Sequence, residues 1–69
     1  MNIVRRALES YIELNNLIND MTEDEVLSAL QLEADTLRRT AIIDRLVSRA
    51  VRLNEIKYAQ ELKAKFYGP

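Results

Sequence analysis

The feature that most limits the fold is the absence of backbone breakers before residue 68. The only glycine and the only proline of the 69-residue chain are its last two residues, Gly68 and Pro69. Tight turns between strands usually need these residues, whereas helices exclude them from their interiors. Ala, Leu, Arg, Glu and Ile are abundant, which is typical of helical proteins. The sequence therefore predicts an all-α fold, either a helical hairpin or a three-helix arrangement with a long C-terminal helix.

The apolar spacing divides the chain into helices of unequal length. A heptad pattern predicts a first helix at about 3–18, with core positions at Val4, Ala7, Tyr11, Leu14, Ile18 and Met21. Thr22 and Glu25 have the spacing of a capping box, which predicts a second helix at about 23–33. A long third helix is predicted at about 36–65, followed by a loose tail at 66–69. Neither glycine nor proline separates the last two helices, so a break at Asp35–Thr36 and a continuous helix are both compatible with the sequence.

Two faces are predicted to be apolar in the second and third helices. In the second helix the face consists of Val26, Leu27, Leu30 and Ala34. In the third helix a broader arc is formed by Ile42, Ile43, Leu46, Val47, Ala50, Val51 and Leu53. Both patterns follow the period of an α-helix and predict packing of these helices against each other.

The length of the chain predicts a single domain, 1–69, with a small core. Such cores supply only a few kcal/mol, and small proteins often add disulfides, metal sites or self-association. The chain has no cysteine and no histidine, which excludes disulfides and nearly all transition-metal chemistry. Its composition is 48% apolar, which is enough to form an apolar interface between two copies of the chain. We therefore expect a homodimer.

Charge is divided unevenly along the chain. Residues 1–35 contain eight acidic and two basic side chains, whereas residues 36–69 contain eight basic and three acidic ones. On an ideal helix, five of these basic side chains fall within about 60° of one another. The five are Arg38, Arg45, Arg49, Arg52 and Lys63. They are the candidate partner-binding residues.

Three interpretations of this basic face are compatible with the sequence. It is solvated or neutralised by the acids of the N-terminal half, it binds an acidic protein surface, or it binds nucleic acid. Arginine predominates, which suits bidentate contacts with carboxylate or phosphate. The face has no aromatic side chains for stacking on bases, and the isoelectric point of 5.3 differs from that of most nucleic-acid-binding domains. A protein partner is therefore favoured over nucleic acid.

A helix-turn-helix is the arrangement behind the alternative function, a nucleic-acid-binding regulator. Glu25–Gln31, a turn at Leu32–Asp35 and a recognition helix from Thr36 have suitable lengths. Arg38 and Arg39 would then lie near the start of the recognition helix, where base contacts are made. No glycine marks the turn.

The groups required for most catalytic sites are missing. Without histidine or cysteine there is no imidazole base and no thiolate nucleophile, and no glycine-rich loop is present to hold a phosphate. The acids at 23–25 point to different helix faces and match a helix start better than a cation site. We therefore expect a protein that is not an enzyme and has no cofactor or metal site.

The sequence also bears on the location of the protein. No apolar run approaches the roughly 20 residues needed to span a membrane. The first residues do not lead into the continuous apolar segment of a secretory signal. We expect a cytoplasmic protein.

One stretch resembles a group of known sequences. It begins with the segment MTEDEVL at 21–27 and continues through Glu33, Arg38-Arg39, Ile43, Arg45-Leu46, Arg49, Arg52-Leu53 and Glu61-Leu62. These residues resemble short phage-encoded helical proteins, in which an acidic helix start precedes a basic helix. The resemblance covers about forty residues and leaves residues 1–20 unexplained. It implies a small accessory protein that binds and redirects a host factor.

Overall fold

The computed structural model describes residues 2–67 and contains four α-helices. These are α1 (Ile3–Ala7), α2 (Tyr11–Leu17), α3 (Glu23–Asp35) and α4 (Thr40–Phe66), with a 3-10 turn at Ile18–Asp20 between α2 and α3. Residues 2–67 contain no β-strand. The all-α prediction is therefore confirmed.

The predicted first helix at 3–18 is wrong, because the chain forms two helices there. Residues 8–10 are not helical, and the Ser10 hydroxyl accepts a hydrogen bond from the Glu13 amide at 3.0 Å. Serine is favoured at such N-caps because it satisfies an amide that lacks a partner within the helix. At the end of α1, the Leu8 carbonyl accepts a hydrogen bond from the Arg39 side chain at 2.6 Å. The break is thus stabilised by a local cap and by a contact with a distant residue.

The start of α3 agrees with the sequence. The Glu25 amide donates to the Thr22 hydroxyl at 3.2 Å, and the Thr22 amide donates to the Glu25 carboxylate at 2.8 Å. This is the predicted capping box, and the three acids of the first turn complement the helix dipole.

The chain leaves the helical conformation between α3 and α4, so a continuous helix is excluded. The turn occupies residues 36–39, and α4 begins at Thr40 rather than at residue 36. Arg38 has a positive φ of 52°, a region that costs a non-glycine residue about 1 kcal/mol. Its amide donates to the Glu33 carbonyl at 2.8 Å, which fixes the end of α3.

The core is formed where α3 packs against α4 and where α1 and α2 cover that pair. Its buried apolar residues are Val4, Ala7, Leu14, Ile18, Met21, Val26, Ala29, Ile42 and Leu46. The predicted core position of Tyr11 is wrong, since this side chain is exposed at the start of α2. On α3, Ala29 and Glu33 are buried, whereas Leu27 and Ala34 are exposed. The buried face of α3 is therefore rotated relative to the predicted one.

Helix α4 extends well beyond the core. Its 27 residues span about 40 Å, which accounts for the elongated dimensions of 47 × 22 × 17 Å. Every residue from Asn54 to Tyr67 is exposed. Phe66, placed by the sequence in the loose tail, is the last residue of the helix, while Gly68 and Pro69 lie outside the described residues. None of the helices in residues 2–67 is long and apolar enough to cross a membrane.

Candidate functional site

A buried ion pair connects the separate parts of the fold. Glu33, near the end of α3, is fully buried, and its carboxylate accepts two hydrogen bonds from the Arg39 guanidinium, at 2.8 and 3.0 Å. The Arg39 amide donates to the same carboxylate at 2.8 Å. Because one guanidinium nitrogen also donates to the Leu8 carbonyl, Arg39 joins α3, the start of α4 and the break between α1 and α2.

Sequence reasoning missed this pair, although a signal was present. Glu33 follows Val26 by seven residues and Ala29 by four, a spacing that places all three on one helix face. A carboxylate on a buried face requires a hydrogen-bonded cation nearby. Arg39, six residues further along, supplies that cation across the turn.

The pair shifts the acid–base properties of both groups. Hydrogen bonds from the Arg39 side chain hold the pKa of Glu33 below its usual value, although burial acts in the opposite direction. The same hydrogen bonds raise the pKa of Arg39. Both groups are therefore charged at neutral pH.

We expect acid to remove the contribution of this pair to stability. Because the pKa of Glu33 is lower in the folded than in the unfolded chain, the contribution is complete above the ordinary glutamate pKa of 4.5. It is lost as the pH falls through the folded value. The difference in melting temperature between the unmodified protein and Glu33→Gln should therefore stay constant above pH 4.5 and narrow as the pH falls below it. A difference that stays constant below pH 4.5 as well would contradict this assignment.

Three of the five predicted site residues form a row on α4, here called the arginine row: Arg45, Arg49 and Arg52. They follow one another at intervals of four and three residues and span about 10 Å along the helix. The Arg45 Nε donates to the Asn15 side chain at 2.9 Å, a neutral acceptor. The Arg49 Nε is buried and has no hydrogen-bond acceptor in residues 2–67. Arg52 lies 3.6 Å from Glu55, one turn along the same helix, with both side chains largely exposed.

The other two predicted site residues lie apart from this row. Arg38 is in the turn before α4 and is not part of its helical face, because α4 begins two residues later. Lys63 is eleven residues beyond Arg52, about 16 Å along the helix. It lines a shallow, mostly apolar groove with Ala59, Leu62, Phe66 and Tyr67. The structure thus removes Arg38 from the predicted line, whereas Lys63 remains on the same continuous helix as the arginine row but distant from it.

The acidic N-terminal half does not neutralise the arginine row by direct ion pairs within residues 2–67. The ion pairs there join Arg6 to Glu13, Arg39 to Glu33 and Arg52 to Glu55. Glu33, the buried acid of this half, is paired with Arg39. The other acidic side chains of residues 2–35 lie at the surface of other elements.

The helix-turn-helix prediction placed the turn incorrectly. Leu32–Asp35 are the last residues of α3, and the turn that follows is at 36–39. Arg39, assigned to a recognition helix, is instead engaged with Glu33 and Leu8. Among the described residues, no three acidic side chains converge into a group that could hold a metal ion.

Fold and site together define a small all-α protein with a short basic row on a projecting helix. Comparisons with protein-family models, with curated proteins and with solved structures find no match for this chain.

Proposed function

We propose that this is a non-enzymatic, cytoplasmic helical protein that binds an acidic surface of a protein partner through the arginine row. The observation that carries the proposal is that these three guanidinium groups share one face of α4 and, within residues 2–67, form no ion pair with a carboxylate of the acidic half. Guanidinium groups form strong, directional hydrogen bonds with carboxylates. An acidic partner would supply carboxylate acceptors to Arg45, which donates to a neutral amide in residues 2–67, and to the exposed Arg52.

The working unit in this proposal is the helical hairpin formed by α3 and α4, with α1 and α2 as its cover. The resemblance of residues 21–62 to phage-encoded sequences suggests a more specific role, in which the protein is a phage accessory protein and the partner a host factor. Arg38, exposed in the turn, and Lys63, on the projecting part of α4, would extend the contact at either end. We also propose that the protein acts as a homodimer, because the exposed half of α4 has no packing partner in residues 2–67.

Charge reversal tests the proposed function. We expect Arg45→Glu combined with Arg52→Glu to abolish recovery of the partner from a lysate, while helicity and melting temperature change little. Arg52 is exposed, and the side-chain hydrogen bond of Arg45 in residues 2–67 is to the exposed Asn15, so replacement leaves no buried hydrogen-bonding group without a partner. The matched control is Arg5→Glu with Lys57→Glu, which changes the charge equally at exposed positions outside the arginine row and outside the ion pairs of residues 2–67.

Nuclease treatment separates the two partner classes. Nucleic acid is the alternative because three arginines on one face also suit a phosphate backbone. A partner that survives nuclease treatment and is identified by mass spectrometry supports the proposal. Binding to duplex DNA that weakens steeply with added salt would contradict a protein partner and support nucleic-acid binding instead. Unfolding of the Arg45/Arg52 variant would show that the arginine row is structural.

A further inference from the structure

Helix α4 carries a second apolar face that the core does not cover, here called the outer stripe. It consists of Val47, Val51, Tyr58, Leu62 and Phe66, and Glu55 occupies the gap in its middle. On a helix of 100° per residue these positions lie opposite the core-facing side marked by Leu46. Val51 is 53% exposed and Phe66 is 69% exposed, whereas Leu46 is fully buried.

We propose that the outer stripe is the interface with a second copy of this chain, with the two α4 helices antiparallel. The inference deepens the proposed homodimer by assigning its surface and direction. It does not depend on what the arginine row binds.

The spacing of the outer stripe is the first reason for this assignment. With Glu55 included, successive positions are separated by four, four, three, four and four residues. This order is the same read in either direction, and its midpoint lies between Ile56 and Lys57. A two-fold axis that passes between two antiparallel helices at the level of this midpoint therefore brings each position of the stripe opposite a stripe position of the second copy, as a closed symmetric dimer requires.

The residues that this symmetry brings together are complementary in size. Val47 meets Phe66 of the second copy, and Val51 meets Leu62 of the second copy, so that each β-branched side chain lies opposite a larger one. At the centre, Glu55 meets Tyr58 of the second copy, whose hydroxyl can donate a hydrogen bond to the carboxylate. A parallel pair would instead place Glu55 against Glu55 in the apolar seam, which is unfavourable for two like charges.

The distribution of charged residues also favours antiparallel pairing. The basic C-terminal end of α4, with Lys63 and Lys65, lies far from the predominantly acidic residues 2–35 of its own chain. Antiparallel pairing places this end alongside the first half of the second copy's α4, on which the acidic N-terminal region packs. The symmetry also places both arginine rows on the same side of the dimer, because a two-fold axis perpendicular to two helices maps each flank onto the corresponding one.

The length of the outer stripe and the low stability of an unpaired helix also favour pairing. Val47–Phe66 spans about 30 Å, and two helices paired over that length bury on the order of 1,000 Å² in total, near the lower limit for a specific interface. An isolated helix of this kind is only marginally stable in water, because most helical stability in proteins comes from packing of an apolar face. Pairing supplies that packing to the segment beyond Asn54, whose described residues are all exposed in the single chain.

Cysteine cross-linking tests the pairing directly, because the chain has no cysteine of its own. We expect a mixture of Val51→Cys and Leu62→Cys chains to form a covalent dimer on oxidation, whereas each variant alone remains uncross-linked. In the antiparallel pair, like positions are separated by about 16 Å along the axis, beyond the limit of about 7 Å between Cα atoms for a disulfide. Cross-linking of each variant alone would overturn the antiparallel direction.

The mass in solution provides the second measurement. We expect the unmodified protein to have twice the mass of one chain by light scattering, and Leu62→Asp to have half that value. Gln60→Asp is the matched control, since it introduces the same side chain on the other side of the same helical turn and should stay dimeric. A dimer that Leu62→Asp does not dissociate would show that the outer stripe is not the interface, but the proposed homodimer would stand. A monomeric unmodified protein would overturn both, and neither result affects the test of the arginine row.

Discussion

Replacement of Arg39 by alanine is expected to leave the protein largely unfolded. The substitution removes the cation from a carboxylate that is fully buried. Breaking a buried ion pair in this way costs about 3–5 kcal/mol. A domain of this size rarely has more than about 3–5 kcal/mol of stability in total. The Leu8 carbonyl also loses its hydrogen bond, so that the break between α1 and α2 is no longer held against the start of α4. The change can be measured as the loss of cooperative thermal unfolding by circular dichroism.

Two variants distinguish this explanation from a general loss of charge. Arg38→Ala removes the neighbouring arginine, whose side chain is exposed, and should change the free energy of unfolding by no more than about 0.5 kcal/mol. The double variant Glu33→Met with Arg39→Met removes both charges and retains similar volume, so it should recover the part of the stability lost to the unpaired carboxylate but not the hydrogen bond to the Leu8 carbonyl. A stable Arg39→Ala protein, or a double variant less stable than the single one, would show that the pair does not stabilise the fold as described.

Truncation of Leu46 should be the second most damaging change. Leu46 is fully buried where α4 packs on the rest of the core. Replacement of such a leucine by alanine costs about 2–5 kcal/mol, because apolar contacts are lost and a cavity remains. Leu62→Ala is the matched control, since this leucine is on the same helix but 38% exposed and outside the core. At low protein concentration, where an associated pair is dissociated, Leu62→Ala should cost less than about 1 kcal/mol.

This comparison tests the separation of α4 into two parts. Denaturant unfolding of both variants gives the two free energies directly. Similar losses for Leu46→Ala and Leu62→Ala in the dilute protein would mean that the projecting segment packs against its own chain. A loss for Leu62→Ala that grows with protein concentration is the result expected from the antiparallel pairing.

Features set by near neighbours in the chain were predictable. The capping box of Thr22 and Glu25 requires groups three residues apart, and the structure contains both of its hydrogen bonds. Ile42 and Leu46 were placed on the apolar side of a long helix and are buried. In each case the pattern repeats within one or two helical turns, so the sequence alone carries it.

Features set by distant contacts were not predictable. The heptad from Val4 to Ile18 is compatible with one continuous helix, and only the tertiary fold brings Arg39 to the Leu8 carbonyl, thirty-one residues away in sequence. The same applies to the basic face. Helical geometry aligned Arg38 with Arg45, but the turn required to bring α3 against α4 places Arg38 outside the helix.

The sequence by itself determined that the chain is helical, where α3 begins and that α4 is long. The absence of glycine and proline before residue 68 leaves helix as the favoured local conformation, and caps and apolar period then locate parts of it. Only the tertiary structure decided which charges are used internally and which remain at the surface. Burial of one face of α3 required a partner for Glu33 and thereby engaged Arg39, while in the part of the chain that the structure describes Arg45, Arg49 and Arg52 form no ion pair with the acidic half. The physical reason is that the strength of an ion pair depends on the distance between the two groups and on their exposure to water. Both are set by the folded structure and not by the order of residues.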